Sequence, residues 1–313
     1  MAWIIAAAVA MAIAVAFVLL KSTQDSKSTP PRRKPEPFTL ADLLERLQLT
    51  EEDARQLESP QWRKAFIPKS SGGTRLLEIP DDVTLALQRR ILHRLLSGLK
   101  SHPAAIGFEN GKSIVDAARP HSGKQFVIRI DIERFFESTP VTRVEEYFRF
   151  IGWTDDAIRL LTTITTCEGH LPQGAATSPR LSNLVNIRMD HALQNVAERF
   201  HGHYTRYADD ITFSFHFRSG RKARGIVQVI RRILRQSGYR MNSEKTRILR
   251  AHQQQQVMGL VVNEKVAIPR SRRRQLRAAR HRVRQGKPAT FSPEQLQGWT
   301  AFEKMVEDQA SID

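Results

Sequence analysis

The clearest alternation of apolar and polar positions lies in residues 204–215. After the adjacent acids Asp209 and Asp210, apolar Ile211 and Phe213 alternate with hydroxyl residues. Alternation with a period of two is typical of a β-strand, and the residues before the acids are strand-like as well. The pattern therefore predicts a β-hairpin with two carboxylates at its tip.

Two further β elements are predicted upstream. Residues 126–132 form a run rich in β-branched residues, and Asp131 lies at its end. Residues 63–80 predict a second hairpin, because residues 71–73 (Ser-Gly-Gly) supply a turn between two strand-like halves.

The second hairpin carries three basic residues, Lys64, Lys69 and Arg75. Their side chains can contact a triphosphate or a nucleic-acid backbone, or only solvent.

A turn-rich stretch over residues 171–179 leads into a helix. Such a loop can present backbone N–H groups to a ligand, or it can simply cap the helix.

Helical spacing of apolar residues covers much of the remaining chain. Residues 38–57 are an example, with leucines at positions 40, 43, 44 and 47. The spacing predicts helices over residues 38–57, 83–99, 180–197, 270–287 and 295–308.

The first twenty residues differ from the rest, since residues 2–20 carry no charge. A helix of that length, rising about 1.5 Å per residue, crosses a hydrocarbon core of about 30 Å. Basic residues follow the apolar run and none precede it, which favours a retained anchor over a cleaved signal. We therefore expect a single-pass protein of the cell inner membrane with the bulk of the chain in the cytoplasm.

Charge and cysteine content narrow the class of protein. The chain has 313 residues, with 49 Lys and Arg against 32 Asp and Glu, a net charge of +17. A charge of this size points to a polyanionic partner, with nucleic acid ahead of an anionic membrane surface. Cys167 is the single cysteine, so the chain has no internal disulfide framework and no cysteine-rich zinc site.

Three acids make up the candidate chemistry: Asp131, Asp209 and Asp210. Adjacent carboxylates repel each other, and a multivalent cation relieves the repulsion most easily. Phosphoryl transfer with two metal ions needs carboxylates from at least two strands, and Asp131 and Asp209 supply them. The acids therefore predict a site for two Mg²⁺ ions, with Mn²⁺ as an alternative.

The ordered motifs resemble those of reverse transcriptases, and most closely the bacterial retron group. The resemblance extends from Phe38 almost to the end of the chain. In order, the matching motifs are Asp131 with Phe135 and Phe136, then residues 171–174 (Leu-Pro-Gln-Gly), 207–210 (Tyr-Ala-Asp-Asp), 242–246 and 257–263.

The resemblance implies roles for single residues. Asp131 and Asp209 would bind both metals with help from the carbonyl of Ile132, and Asp210 would be an auxiliary acid. Phe136 would lie under the sugar and exclude a 2′ hydroxyl. The residues that would contact the nucleotide are Lys69, Arg75, Phe135, Gln173, Gly174 and Lys245. Lys245 would also donate a proton to pyrophosphate. The residues that would contact nucleic acid are Tyr207, Gly259, Arg272, Arg273 and Arg277.

The implied fold is α/β (α+β), a right-hand polymerase with fingers, a palm of antiparallel sheet and helices, and a short helical thumb after one transmembrane helix. The sequence departs from the retron pattern at residues 117–121, which lack an expected Asn, and at Met258. The expected limits are a transmembrane helix at 1–20, a linker at 21–37, fingers at 38–130, a palm with an inserted fingers segment at 131–263 and a thumb at 264–313.

The resemblance also implies partners: dNTPs, a structured noncoding RNA that serves as template and primer, and its DNA product. An anti-phage role and an effector protein at the membrane are further expectations. Three alternatives stay open: another bacterial reverse transcriptase of a non-retron defence type, a catalytically silent nucleic-acid-binding scaffold, and a basic membrane-surface protein.

Overall fold

A computed structural model describes residues 36–56, 59–68 and 72–311. A four-stranded antiparallel sheet in the order β4-β5-β3-β6 organises this part of the chain. A separate hairpin pairs β1 with β2, and a short one pairs β7 with β8. The strands are β1 (Trp62–Pro68), β2 (Thr74–Pro80), β3 (Phe126–Ile132), β4 (His203–Tyr207), β5 (Asp210–Phe215), β6 (Met241–Arg250), β7 (Gln256–Val257) and β8 (Leu260–Val261).

Helices surround the sheets, and most begin at a side chain that caps their free N–H groups. Thr39, Ser113 and Ser292 each form a reciprocal capping box with the third residue of the helix that follows. The helices are α1 (Leu40–Leu47), α2 (Glu51–Gln56), α3 (Asp82–Ile91), α4 (Ile114–Ala118), α5 (Val141–Phe150), α6 (Asp155–Thr165), α7 (Ser178–Leu184), α8 (Ile187–Arg199), α9 (Gly220–Gln236), α10 (Arg270–Arg284) and α11 (Pro293–Ala310).

The alternation along the strands separates the two faces of the four-stranded sheet. Ile128 and Ile130 of β3, with Phe213 of β5, are fully buried in one core with α8 and α9. Asp131 and Asp210 occupy the intervening positions and so point away from those helices. The sheet therefore separates the acids from α9.

A second core joins the first helices to the middle of the chain. Leu43, Ile91, Phe148 and Leu161, from α1, α3, α5 and α6, are fully buried together. The final helices pack differently: α10 buries Leu276 against α11, whose other end packs on the β7–β8 hairpin.

Three helix limits differ from the predictions. The helix predicted over 38–57 is two helices, because Gln48 adopts left-handed backbone (φ 52°) and Thr50 starts α2 by bonding to Asp53. The helix predicted over 180–197 begins at Ser178 and breaks before Ile187, at the start of α8. The helix predicted over 83–99 changes at Leu92–Leu96 into a π-helical turn, which local sequence pattern does not reveal.

The helices of the structure contradict the predicted inner-membrane location. Within residues 36–56, 59–68 and 72–311, no helix combines the length and apolarity needed to cross a bilayer, and this finding is against a single-pass membrane protein. The segment on which the prediction rested, residues 1–20, and nearly all of the predicted linker lie outside the described residues.

Candidate active site

The three predicted acids meet at one end of the sheet. Antiparallel pairing of β3 with β5 places Asp131 directly opposite Asp210. Asp209 lies in the β4–β5 turn, where Ala208 has left-handed backbone (φ 56°). The N–H of Ile132 donates to the carbonyl oxygen of Asp209 at 3.0 Å, which fixes the tip of the hairpin against β3. Residues about 80 positions apart in the sequence are thus neighbours.

Burial and mutual repulsion perturb the acids. Burial raises the pKa of Asp209 to about 6, and the charges of Asp210 and Asp131 act in the same direction. Burial also raises the pKa of Asp210, against the opposing effect of Arg129. Carboxyl groups with raised pKa values in a cleft are typical of sites that bind a cation or move a proton.

A bulge in β6 brings a cation to the acids. β6 pairs with β3 at Asn242 and again at Arg247, and the four residues between are displaced from the ladder. The side-chain oxygen of Asn242 accepts bonds from the backbone N–H groups of Glu244 and Lys245 at 3.1 and 3.2 Å, which folds the bulge. As a result, the ammonium of Lys245 lies 2.9 Å from Oδ2 of Asp131.

Asp131 and Asp209 line a cavity of about 920 Å³ that is open to solvent, whereas Asp210 does not line it. The β1–β2 hairpin, the segment after β3 and the β4–β5 turn form its walls. Predicted site residues that line it are Asp131, Ile132, Asp209, Arg75, Phe135, Phe136, Gln173 and Lys245.

An aromatic group forms one wall of the cavity. The ring of Phe136 lies 5.5 Å from that of Phe135, which is buried, and 6.4 Å from that of Phe108, measured between centroids. Phe108 is 41% exposed and lies 6.0 Å from Tyr207. Phe136 is thus held between a buried ring and a solvent-facing one.

Gly174 has a structural reason to be glycine. Its φ is 140°, and a Cβ there would lie 2.6 Å from the carbonyl oxygen of Glu78. The N–H of Glu78 donates to the carbonyl of Gln173 at 2.9 Å, so this loop docks on β2 and places Gln173 in the cavity wall. Gly174 supports the wall without lining it.

Other predicted site residues lie outside the cavity. Gly259 is at the β7–β8 turn with φ 80°, and half-buried Tyr207 ends β4. Arg272 of α10 packs 4.9 Å above the ring of Trp299, whereas Arg273 and Arg277 are exposed. Lys69 lies outside the described residues. The ammonium of Lys64 pairs with Glu168 at 2.6 Å.

The acids do not form a ready-made metal cage. Among the residues that the structure describes, no group of three or more His, Cys, Asp or Glu side chains is gathered as in a metal site. Mg²⁺ commonly binds through one or two carboxylates and completes its shell with water and substrate phosphates. Asp131 and Asp209, which both line the cavity, fit this mode of binding.

A buried ion pair packs against the β4–β5 hairpin. The guanidinium of Arg206 and the carboxylate of Asp190 are both fully buried and form two bonds of 2.7 and 2.6 Å. Tyr204 donates a third bond to Asp190 at 2.6 Å, and Arg206 also donates to the carbonyl of Ala208. The network ties α8 to the residue just before Asp209.

His121 is buried beneath the same hairpin. One ring nitrogen lies 2.7 Å from Oγ of Ser214 in β5 and the other 2.8 Å from Oγ1 of Thr205 in β4. Burial lowers the pKa of His121 to about 3, so the ring is neutral in the folded protein. Two hydroxyls of the hairpin, those of Thr205 and Ser214, therefore share a buried partner.

The sequence reasoning missed Phe108, which lies on an irregular segment. The N–H of Ile106 donates to the carbonyl of Arg206 at 2.8 Å, and a Cβ at Gly107 would lie 3.0 Å from the backbone of Ala208. Phe108 itself has left-handed backbone (φ 64°), a conformation that costs free energy for a bulky residue. The pair Gly-Phe between two turn-rich stretches was the available signal.

Comparison with known proteins agrees with this geometry. A family described as "Reverse transcriptase (RNA-dependent DNA polymerase)" matches residues 67–262, which include all three acids. The retron Mx65 reverse transcriptase of Myxococcus xanthus is 36% identical over 261 residues, covering 77% of this chain and 60% of that protein. The retron Ec86 reverse transcriptase of Escherichia coli is 36% identical over 226 residues, covering 72% of this chain and 69% of that protein.

The chain therefore belongs to the reverse transcriptase family. It spans about 60% of the length of the two Myxococcus relatives, Mx65 and Mx162, at 60% and 57%. Within the family it is of the bacterial retron type, as the resemblance of its motifs predicted.

Proposed function

We propose that the chain is an RNA-directed DNA polymerase that copies a structured noncoding RNA into DNA by two-metal phosphoryl transfer. The observation that supports this most strongly is the pairing of Asp131 with Asp210, which places Asp131 and Asp209 together in the wall of the large cavity. A protein that only binds nucleic acid gains nothing from three acids that face a polyanion.

The residues present fit Mg²⁺. The raised pKa of Asp209 reflects burial and like charge, both of which a bound cation offsets. Asp131 and Asp209 would hold the metal with help from the Ile132 carbonyl, and Asp210 would contribute charge. Bound Mg²⁺ would supply activation of the primer 3′ hydroxyl and neutralisation of the pyrophosphate that leaves.

The remaining cavity residues bind and orient the nucleotide in this proposal. Arg75 contacts the triphosphate, as does Lys69, which lies outside the described residues, and Gln173 contacts the base-paired nucleotide. Phe136 occupies the space that a 2′ hydroxyl needs and so favours deoxynucleotides. Lys245, once released from Asp131, donates a proton to pyrophosphate.

The polymerase parts and the biological role also belong to the proposal. Residues 38–130 would be the fingers, 131–263 the palm and 264–313 the thumb, with Tyr207, Gly259, Arg272, Arg273 and Arg277 along the nucleic acid. The RNA template and its DNA product would serve anti-phage defence. A catalytically silent scaffold is the alternative, and the next experiment separates the two.

The test is extension of a DNA primer on an RNA template by the purified full chain with dNTPs and Mg²⁺. We expect extension by the wild type, none by Asp209→Asn, and wild-type extension by Asp308→Asn, the same change at an exposed helix position. Binding of primer–template should persist in Asp209→Asn. No extension by the wild type would contradict the proposal, and loss of binding together with synthesis would make the acids structural.

A further inference from the structure

Helix α9 carries a stripe of five arginines on its exposed side. At 3.6 residues per turn, their positions fall within an arc of about 100°. All five are exposed, while the opposite side of the helix is buried in the core. The members of this arginine stripe are Arg221, Arg224, Arg231, Arg232 and Arg235.

The arginine stripe is not neutralised by the protein. Gly220–Gln236 contains no acidic residue, and none of the five guanidiniums forms an ion pair within the part of the chain that the structure describes. Like charges three or four residues apart destabilise a helix. A guanidinium from another element, Arg250 of β6, adds to the cluster, because it and Arg224 both approach Gly220.

The arginine stripe lies on the far side of the sheet from the active site. Ile226, Ile230 and Leu234 of α9 pack in the same core as Ile130 of β3. Since successive side chains of a strand point to opposite faces, Asp131 projects away from that core. Nucleic acid bound at the acids is therefore separated from the arginine stripe by the sheet, a core layer and the helix itself.

The chemistry of the arginine stripe selects its ligand. Single-stranded nucleic acid is usually bound by aromatic stacking, and the exposed face of α9 has Arg, Lys, Gln, Gly and Val but no aromatic residue. Insertion into a membrane needs an exposed apolar face, whereas the apolar face of α9 is buried. Planar guanidiniums in a row of about 21 Å match phosphates along a double helix.

We propose that the arginine stripe of α9 binds the phosphate backbone of a double-helical RNA segment outside the catalytic cavity. The inference rests on the proposed function only in taking RNA as the nucleic acid. The stripe holds a folded part of the RNA behind the sheet while another part occupies the cavity. Recognition is by shape and backbone charge, as double-stranded RNA is usually recognised.

The experiment measures binding of a blunt RNA stem of about 16 base pairs to the full chain at several salt concentrations. A chain-terminated primer–template with the next dNTP fills the cavity throughout. Arg224→Gln/Arg231→Gln removes two charges from the stripe. Arg89→Gln/Arg159→Gln, at exposed positions of α3 and α6, removes the same charge elsewhere.

We expect the stripe variant to lose about tenfold or more in affinity for the stem. The slope of its log affinity against log salt concentration should fall by the amount that about two phosphate contacts contribute. The control variant should bind as the wild type does, and both variants should extend a short primer–template normally. Equal binding by stripe variant and wild type, or an equal loss in the control, overturns the inference.

Two further arms identify the ligand. A loss confined to a DNA stem of the same sequence overturns the assignment to RNA. A loss of binding to vesicles of phosphatidylserine and phosphatidylcholine, with stem binding intact, overturns it in favour of an anionic membrane. Primer extension by the wild type is measured in parallel, so failure of the proposed polymerase activity is seen separately from failure of stem binding.

Discussion

The ammonium of Lys245 lies 2.9 Å from Oδ2 of Asp131, although 114 residues separate the two in the sequence. The contact exists because Asn242 folds the β6 bulge toward the end of β3. The pairing raises the pKa of Lys245, so its proton is held while Asp131 is its partner. If the Lys245 ammonium moves from Asp131 to the pyrophosphate, it would deliver its proton to the group on which negative charge develops.

Replacing Lys245 with Gln should therefore slow catalysis more than it weakens binding. We expect the rate of nucleotide addition to fall about 100-fold, because a positioned proton donor contributes about 10² to 10⁴ in rate. Single-turnover incorporation measures this effect. Lys304→Gln, at an exposed position of α11, is the matched control, and a rate unchanged in Lys245→Gln would remove the residue from the mechanism.

Phe136→Ala should admit ribonucleotides. The ring is fixed by Phe135 and Phe108, so its removal leaves space in the cavity that those rings cannot fill at once. We expect the preference for deoxynucleotides, as a ratio of kcat/KM values, to fall at least about tenfold. Phe150→Ala, a ring that is 77% exposed on α5, serves as control. Unchanged sugar selectivity would exclude the gate.

Phe108→Ala should weaken nucleotide binding through its two aromatic neighbours. Each aromatic pair contributes about 0.5 to 1.5 kcal/mol beyond buried area, so loss of the contacts to Phe136 and Tyr207 should raise the dNTP KM about fivefold or more. Phe108→Tyr keeps the ring and should restore the KM. Equal KM values in Ala and Tyr variants would show that the ring has no part in binding.

Asp190→Asn should destabilise the fold strongly. The substitution leaves the fully buried charge of Arg206 without its partner, and breaking a buried pair costs about 3 to 5 kcal/mol of unfolding free energy. Urea denaturation measures the loss. The same change at exposed Asp156 should cost much less. A loss at Asp190 that is no larger than the loss at Asp156 would mean that the pair adds no stability.

His121 should make stability dependent on pH. Its folded pKa of about 3 is below the usual 6.5, so between these values the unfolded chain takes up a proton that the folded chain does not. The contribution of His121 to the unfolding free energy is therefore complete above pH 6.5 and falls as the pH drops. Between pH 7.5 and 5.5 the loss should be about 1.4 kcal/mol.

Urea denaturation at the two pH values checks this loss in the wild type, in His121→Asn and in His252→Asn, an exposed control. His121→Asn should be less stable at both pH values but should show a smaller pH dependence. A pH dependence equal in all three proteins would mean that His121 is not the group responsible.

Local patterns predicted the elements that bear the acids. Alternation gave the β4–β5 hairpin and its buried face, and the β-branched run gave β3 with Asp131 at its end. Asp209 and Asp210 were predicted because adjacent carboxylates at a hairpin tip favour a bound cation, and Asp131 was predicted because it lies at the end of an apolar strand. Strand and hairpin signals act over a few residues, and at these places the tertiary structure agrees with them.

Features that depend on distant partners were not predictable from the sequence. The ion pair of Arg206 with Asp190 joins a strand to a helix. From the sequence alone, each of the two charged residues would be expected at the surface. Phe108 reaches the site only because its segment pairs with β4, where Ala105 bridges to Arg206. The breaks at Gln48 and before Ile187 arise where capping and packing override an apolar periodicity that continues through them.

The central position of β3 also has a consequence for how the chain is made. Phe126 pairs with Phe215 on one side and with Arg250 on the other, so β3 emerges during synthesis long before either neighbouring strand. Sheets built from such distant pairings fold slowly, and an unpaired apolar strand is prone to aggregate. A nascent or truncated chain that ends before β6 therefore has an exposed edge on its most apolar strand, and the acids can meet only after β5 has been made.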